Sequence, residues 1–307
     1  MIRKIILAFF LICFVTVSFG QRKHHITTDV GKIFYEVHGD GIPILFLSGG
    51  PGAPPQTLNP IIDYLKDNYK CILLHQRGTG DSYNSKIDST TITIDRYVSD
   101  ISAVAKQERI EKFYLLGHSW GAMLALDYIV KYPDKVNGAI LIGSSGCSLD
   151  FLQPMNNRIF SAVTKNEMDS LQAYSVQLNN DKIENWSKNE LLNKINSIII
   201  SKQFYDLSFV PELLKYGSIN REVNILMMAN LRNINWNLEN QLKEIKISTV
   251  IINGNNDPIG IEPVQKLKEI MVGSELCVIN DCGHYVWLEK PNELKSIVFN
   301  FLNKIAY

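Results

Sequence analysis

Five short runs of uninterrupted apolar residues constrain this chain more than any other feature. They lie at 44–47, 71–74, 113–116, 139–142 and 250–252. A strand with one wet face alternates apolar and polar residues. Continuous apolar strands of this length therefore indicate a mostly parallel sheet covered on both faces. Segments with helical spacing, such as 94–105 and 122–130, separate the runs. Strand and helix thus alternate, which predicts a doubly wound α/β fold, a twisted sheet flanked by helices. Two alternating stretches, 24–30 and 32–38, precede the first run and read as a hairpin about Gly31.

The alternation stops between roughly 149 and 241. That stretch is rich in Asn, Lys, Leu and Ile, with Gly217 as its one glycine. It reads as a helical cap inserted over a core made of 21–148 and 242–307. Beyond it the pattern resumes with a strand at 248–253, a helix at 262–271, a strand at 275–279 and a final helix at 292–304.

Residues 1–20 have a different character. Arg3 and Lys4 precede an apolar run over 5–15, and Ser18 and Gly20 stand at −3 and −1 before Gln21. A basic head, an apolar stretch of roughly 7–15 residues and small residues at those positions make a secretory signal. The run is shorter than the roughly 20 residues that span a bilayer. Export, periplasmic or secreted, with no membrane attachment after cleavage, is the expectation. Cys71, Cys147, Cys277 and Cys282 then remain, as one disulfide, two disulfides or buried thiols. Formal net charge is zero and no Lys/Arg cluster occurs, so nucleic acid is not an expected partner.

The strongest chemical signal is Gly117-His118-Ser119-Trp120-Gly121, between the apolar run at 113–116 and the helical segment at 122–130. This is the nucleophile elbow, G-x-S-x-G, in a strand–turn–helix setting. Ser119 is the candidate nucleophile, and such a serine needs a base and a group that orients the base. Asp257, on the loop after 250–252, is the candidate acid, with Asp281 as its rival. His284 is the candidate base, because it is the one histidine that follows the acid in the chain. His75 and His118 read as local packing or hydrogen-bonding residues. The Trp120 backbone N–H and that of Gly50, with Gly49 as fallback, are the candidate oxyanion donors. The loop Ser48-Gly49-Gly50-Pro51-Gly52 lacks the spacing of a phosphate-binding loop.

Taken together, the Ser48–Gly52 loop, His75-Gln76-Arg77-Gly78-Thr79-Gly80-Asp81-Ser82, the elbow and Gly283-His284 resemble the α/β-hydrolase superfamily. Within it they are most similar to the prolyl aminopeptidase (proline iminopeptidase) group. The resemblance implies an α/β-hydrolase fold and release of N-terminal proline or another residue from short peptides or amides, without metal or cofactor. The chain departs from the group's pattern at Ser48, where His is usual, and at His75, where Asp is usual. Pro258 stands beside Asp257, where some members carry a second carboxylate for the substrate amine.

The cap offers Glu184, Glu190, Asp206, Glu212 and Glu222 for that amine, though most acidic residues on a helical insertion are simply solvated. It offers Phe204, Tyr205, Phe209 and Trp236 for the acyl pocket, though core packing is the expected role of each. A carboxylesterase or lactonase on the same triad is the alternative reading. A hydrolase-fold sensor of small molecules is a more remote one. Serine at the elbow excludes the dehalogenase and epoxide hydrolase chemistries that need a carboxylate there.

Overall fold

The computed structural model describes residues 22–84, 86–179 and 184–305. The expected leader, 1–20, lies outside the described residues. Eight strands form one sheet: β1 Arg22–Thr28, β2 Gly31–His38, β3 Ile42–Leu47, β4 Tyr69–Leu74, β5 Phe113–His118, β6 Val136–Ile142, β7 Thr249–Gly254 and β8 Glu275–Ile279. Their order is β1-β2-β4-β3-β5-β6-β7-β8. The β1–β2 and β2–β4 pairs are antiparallel and the remaining pairs are parallel. Six helices accompany this core: α1 Asn59–Leu65, α2 Ile94–Gln107 and α3 Trp120–Lys131 before the insertion, and three more at the C-terminal end.

Side-chain alternation explains why the central strands had to be apolar throughout. Leu45, Leu47, Ile72, Leu74, Leu115 and Leu141 enter the core beneath α2 and α3. Ile44, Phe46, Leu73, Leu116, Ile140 and Ile142 enter the second core on the other side. Each such side chain contributes roughly 1.5–3 kcal/mol on leaving water. Helix α2 buries Ile94, Tyr97, Val98, Ile101, Val104 and Ala105, one face at helical spacing. Its N-terminus is capped by the Thr93 hydroxyl, which accepts from the Arg96 N–H. Helix α3 is buried almost all round and packs on β3, β5 and β6.

Between β6 and β7 the chain leaves the sheet for six helices: α4 Leu152–Ser161, α5 Lys165–Leu178, α6 Asn185–Ser201, α7 Val210–Leu214, α8 Arg221–Asn233 and α9 Glu239–Leu242. A bridge between Ser148 and Asn237, with the Leu238 N–H donating to the Cys147 carbonyl at 2.8 Å, draws its two ends together. The C-terminal helices are α10 Glu262–Ile270, α11 Val286–Glu289 and α12 Pro291–Ile305. All four described cysteines are free thiols.

One topological fact positions the site. The chain winds from β3 outward to β4, then crosses back to lay β5 on the other side of β3. The loops after β3 and β5 therefore diverge over neighbouring strand ends, the switch point at which such sheets bind ligands.

The turn after β4 is locked to α2 by a buried ion pair. Arg77 donates from Nε and Nη2 to the two Asp100 oxygens at 2.7 and 2.8 Å, and the Tyr97 hydroxyl donates to the Arg77 carbonyl at 2.9 Å. Arg77→Ala should cost about 3–5 kcal/mol, because Asp100 is left buried and unpaired. Arg77→Met combined with Asp100→Leu should lose much less. Urea unfolding of the three proteins checks this; equal losses would rule out the stranded charge as the cause.

Candidate active site

The site begins with two glycines that cannot be anything else. A Cβ at Gly121 would lie 2.0 Å from the Leu47 carbonyl oxygen, and one at Gly117 would lie 2.3 Å from the Gly121 carbonyl oxygen. Such contacts exclude any side chain, so α3 can start immediately against the end of β3. The single residue between β5 and α3, Ser119, takes φ +54° and ψ −116°. A non-glycine residue held there is strained, and strain of this kind costs on the order of 1–3 kcal/mol. The Ser119 N–H donates to the Ile142 carbonyl at 2.9 Å, and its own carbonyl accepts from Ala122 and Met123.

Asp257 and His284 arrive from the ends of β7 and β8. The His284 Nδ1 lies 2.7 Å from the Asp257 Oδ2, both residues being buried. The other oxygen of Asp257 accepts the Ile259 N–H at 2.9 Å, which sets the carboxylate's orientation. Of the two candidate acids, Asp257 is the one in contact with the ring, whereas Asp281 is exposed at φ +49°. The residues Ser119, His284, Asp257, Trp120, Gly49 and Gly50 all line one cavity of about 300 Å³. Gly50 is at φ +115°, where a Cβ would lie 2.6 Å from the Gly52 and Ala53 amide nitrogens. The Trp120 N–H is the first of α3 and so has no acceptor within the helix.

His118 has a separate role. It is buried beside His284, with ring centroids 4.6 Å apart and its Nε2 3.2 Å from the His284 carbonyl oxygen. That contact requires a proton on Nε2, so the ring supports the His284 backbone. Burial, and next the proximity of His284, push its pKa well below the ordinary value. His75 is also local: its Nδ1 accepts from the Asp81 N–H at 3.0 Å, and its Nε2 faces Glu36 at 3.2 Å.

The acidic residues that the cap offers for a substrate amine do not line this cavity. Glu190 pairs with Lys194 at 2.8 Å and Glu212 with Lys215 at 2.6 Å. Asp206 caps the turn at Ser208, and Glu184 and Glu222 are exposed at helix starts. The four aromatic candidates are likewise elsewhere. Phe204 and Phe209 pack in the second core, Trp236 donates to Asp127 at 2.8 Å, and Tyr205 is exposed.

Several supporting residues escaped the sequence reading. Gln76 accepts from the Trp120 indole at 2.8 Å and donates to the Ser48 carbonyl at 2.9 Å, bracing the elbow helix to the glycine loop. Its place in the 75–82 motif was the available signal. Glu289 accepts from the Gly283, Tyr205 and Asp206 N–H groups, and the His284 N–H donates to the Gln203 carbonyl at 2.7 Å. Arg158 of α4 donates to the Pro258 and Ile259 carbonyls at 3.3 and 2.8 Å and pairs with Glu262. The insertion thus grips both the acid loop and the histidine loop.

The fold and the strand-end cluster define the class of protein. The chain belongs to the alpha/beta hydrolase fold family, whose sequence profile matches residues 42–291. Among its curated relatives is a proline iminopeptidase of Saccharolobus solfataricus, 24% identical over 88% of this chain and 88% of that protein. Another, from Heyndrickxia coagulans, is 25% identical over 88% of this chain and 94% of its own length. Among solved structures it is similar to Est816, described as an N-acyl homoserine lactone degrading enzyme. The TM-score is 0.65 and identity 23%, over 91% of this chain and 100% of that one.

Because the folded protein resists protonating His118 while the unfolded chain does not, acid should destabilise the fold. Stability should be fully present above His118's ordinary value of 6.5 and fall by up to about 1.4 kcal/mol per pH unit below it. His118→Gln should flatten that slope in unfolding curves taken between pH 5 and 7. An unchanged slope would mean that other groups set the acid limit.

Proposed function

We propose that this protein is a serine hydrolase that works through an acyl-enzyme, with Ser119 as nucleophile, His284 as base and Asp257 as the group that orients it. The observation that carries the reading is the buried 2.7 Å contact between His284 Nδ1 and Asp257 Oδ2. It stands at the same cavity as a serine held in a strained strand-to-helix turn. With Asp257 accepting a hydrogen bond from Nδ1–H, the Nε2 lone pair is free to take the proton of Ser119. The serine oxygen attacks the substrate carbonyl, and the oxyanion accepts hydrogen bonds from the Trp120 and Gly50 N–H groups. Losing one such donor typically costs on the order of 10²–10³ in turnover. His284 then protonates the leaving group, and the same ring activates the water that releases the acid.

Relatives named proline iminopeptidases support one substrate reading, release of an N-terminal residue from small peptides or amides. A second reading, a carboxylesterase or lactonase, is favoured by the cavity itself. A substrate amine would be held by a carboxylate. Among the described residues Asp257 is the one carboxylate lining the cavity, and it is committed to His284.

Steady-state hydrolysis of proline and alanine arylamides beside a short-chain aryl ester separates the two. Ester cleavage without arylamide cleavage is the outcome the cavity favours; rapid arylamide turnover would restore the aminopeptidase. In either case Ser119→Ala and His284→Ala should each lower kcat on the order of 10⁴–10⁶-fold, with the double variant little worse. Losses that multiply would refute the triad.

A further inference from the structure

The cavity contains one charged group that the reaction leaves unused. Arg232 lines it and is solvent-exposed, and its guanidinium makes no hydrogen bond or ion pair among the described residues. The other charged side chain in the lining, Asp257, is turned to His284 and accepts the hydrogen bond of its Nδ1–H. No further carboxylate lines the cavity among the described residues, so the charged group free to meet a substrate is the Arg232 guanidinium.

Where Arg232 stands follows from how α8 is docked. The start of this helix is fixed on the loop after β3. The Asn220 N–H donates to the Gly52 carbonyl at 2.9 Å, and the Asn224 amide donates to the Pro51 carbonyl at 3.2 Å. Asn224, Met228 and Arg232 follow one another at intervals of four residues, and all three line the cavity. They form one face of the helix. At 1.5 Å per residue, Arg232 lies about 12 Å along the axis from Asn224. The helix therefore has its first turn beside the oxyanion loop and its cationic end away from it. Met123, Phe151, Leu152, Met155 and Met228 give the wall its apolar surface, interrupted by Ser145 and Asn156.

We infer that Arg232 is a specificity-determining residue that receives an anionic group, a carboxylate at the far end of an apolar ester or amide substrate. This rests on the serine-hydrolase reading and narrows its substrate class. An extended aliphatic chain spans the apolar wall, its scissile carbonyl at Ser119 and its terminal carboxylate at the guanidinium. A guanidinium can bind a carboxylate through two parallel N–H donors. A substrate whose far end is an ammonium group is repelled.

The test uses aryl monoesters of adipic and suberic acid beside their methyl-capped counterparts. Acetyl esters of ω-hydroxy acids of matching length place the carboxylate on the alcohol side. Wild-type protein should prefer the free acid over the capped ester by roughly 10- to 100-fold in kcat/KM, in at least one series. The preference should shrink as salt is raised. Arg232→Gln should abolish it, and Arg232→Glu should turn it into a preference for an amine-terminated ester. If capped and free esters are cleaved equally well, or the ratio ignores both substitutions, Arg232 has no such role and the serine-hydrolase reading survives. If the esters are cleaved and Ser119→Ala cleaves them as fast, that underlying reading fails as well.

Discussion

The close approach of α3 to the end of β3 is the constraint on which the rest of the site depends. Without a side chain at Gly121, the helix can begin against the Leu47 carbonyl, and the turn before it shrinks to one residue. Ser119 then has no relaxed conformation available. Its backbone is held from both sides, by Ile142 on one strand and by the first turn of α3. The loop after β3 lies across the same strand ends, so the amide donors and the serine share one location as a result of topology. Loops after β7 and β8 bring Asp257 and His284 to the same edge of the sheet.

How much of this was legible in the sequence depended on how local the cause was. The strand at 275–279 coincides with β8, and the helix expected at 94–105 extends only two residues further. The apolar runs at 44–47, 113–116 and 139–142 fall within β3, β5 and β6, because burial on both faces writes itself into consecutive residues. Helix α1 was not foreseen: seven residues with Asn-Pro at the start carry too little pattern to be read. Ser119, Asp257 and His284 were readable because each sits in a short loop of characteristic composition just past an apolar strand, and the three do meet at one cavity.

The supporting contacts were illegible for the opposite reason. Glu289 reaches Tyr205 across 84 residues of chain, and Arg158 reaches Ile259 across 101. A glutamate near the end of a chain and an arginine on a polar helix look like solvated charges until the fold brings their partners to them. The acidic residues between 184 and 222 present the converse case. Their charge invited a role at the substrate, and the helices turn them elsewhere, onto neighbouring lysines, a turn cap or solvent.

The double grip of the helical insertion bears on how this architecture can be altered. Arg158 fastens it to the acid loop, while Gln203 and the Glu289 cluster fasten it to the histidine loop. These ties make it part of the frame that holds the two loops at the cavity. A chimera that imports another relative's insertion inherits a foreign set of anchors and leaves Glu289 and the Pro258–Ile259 carbonyls without their native partners. Diversification of such a chain therefore proceeds by changing side chains along the inner helix faces, with the anchor points at both loops carried forward together.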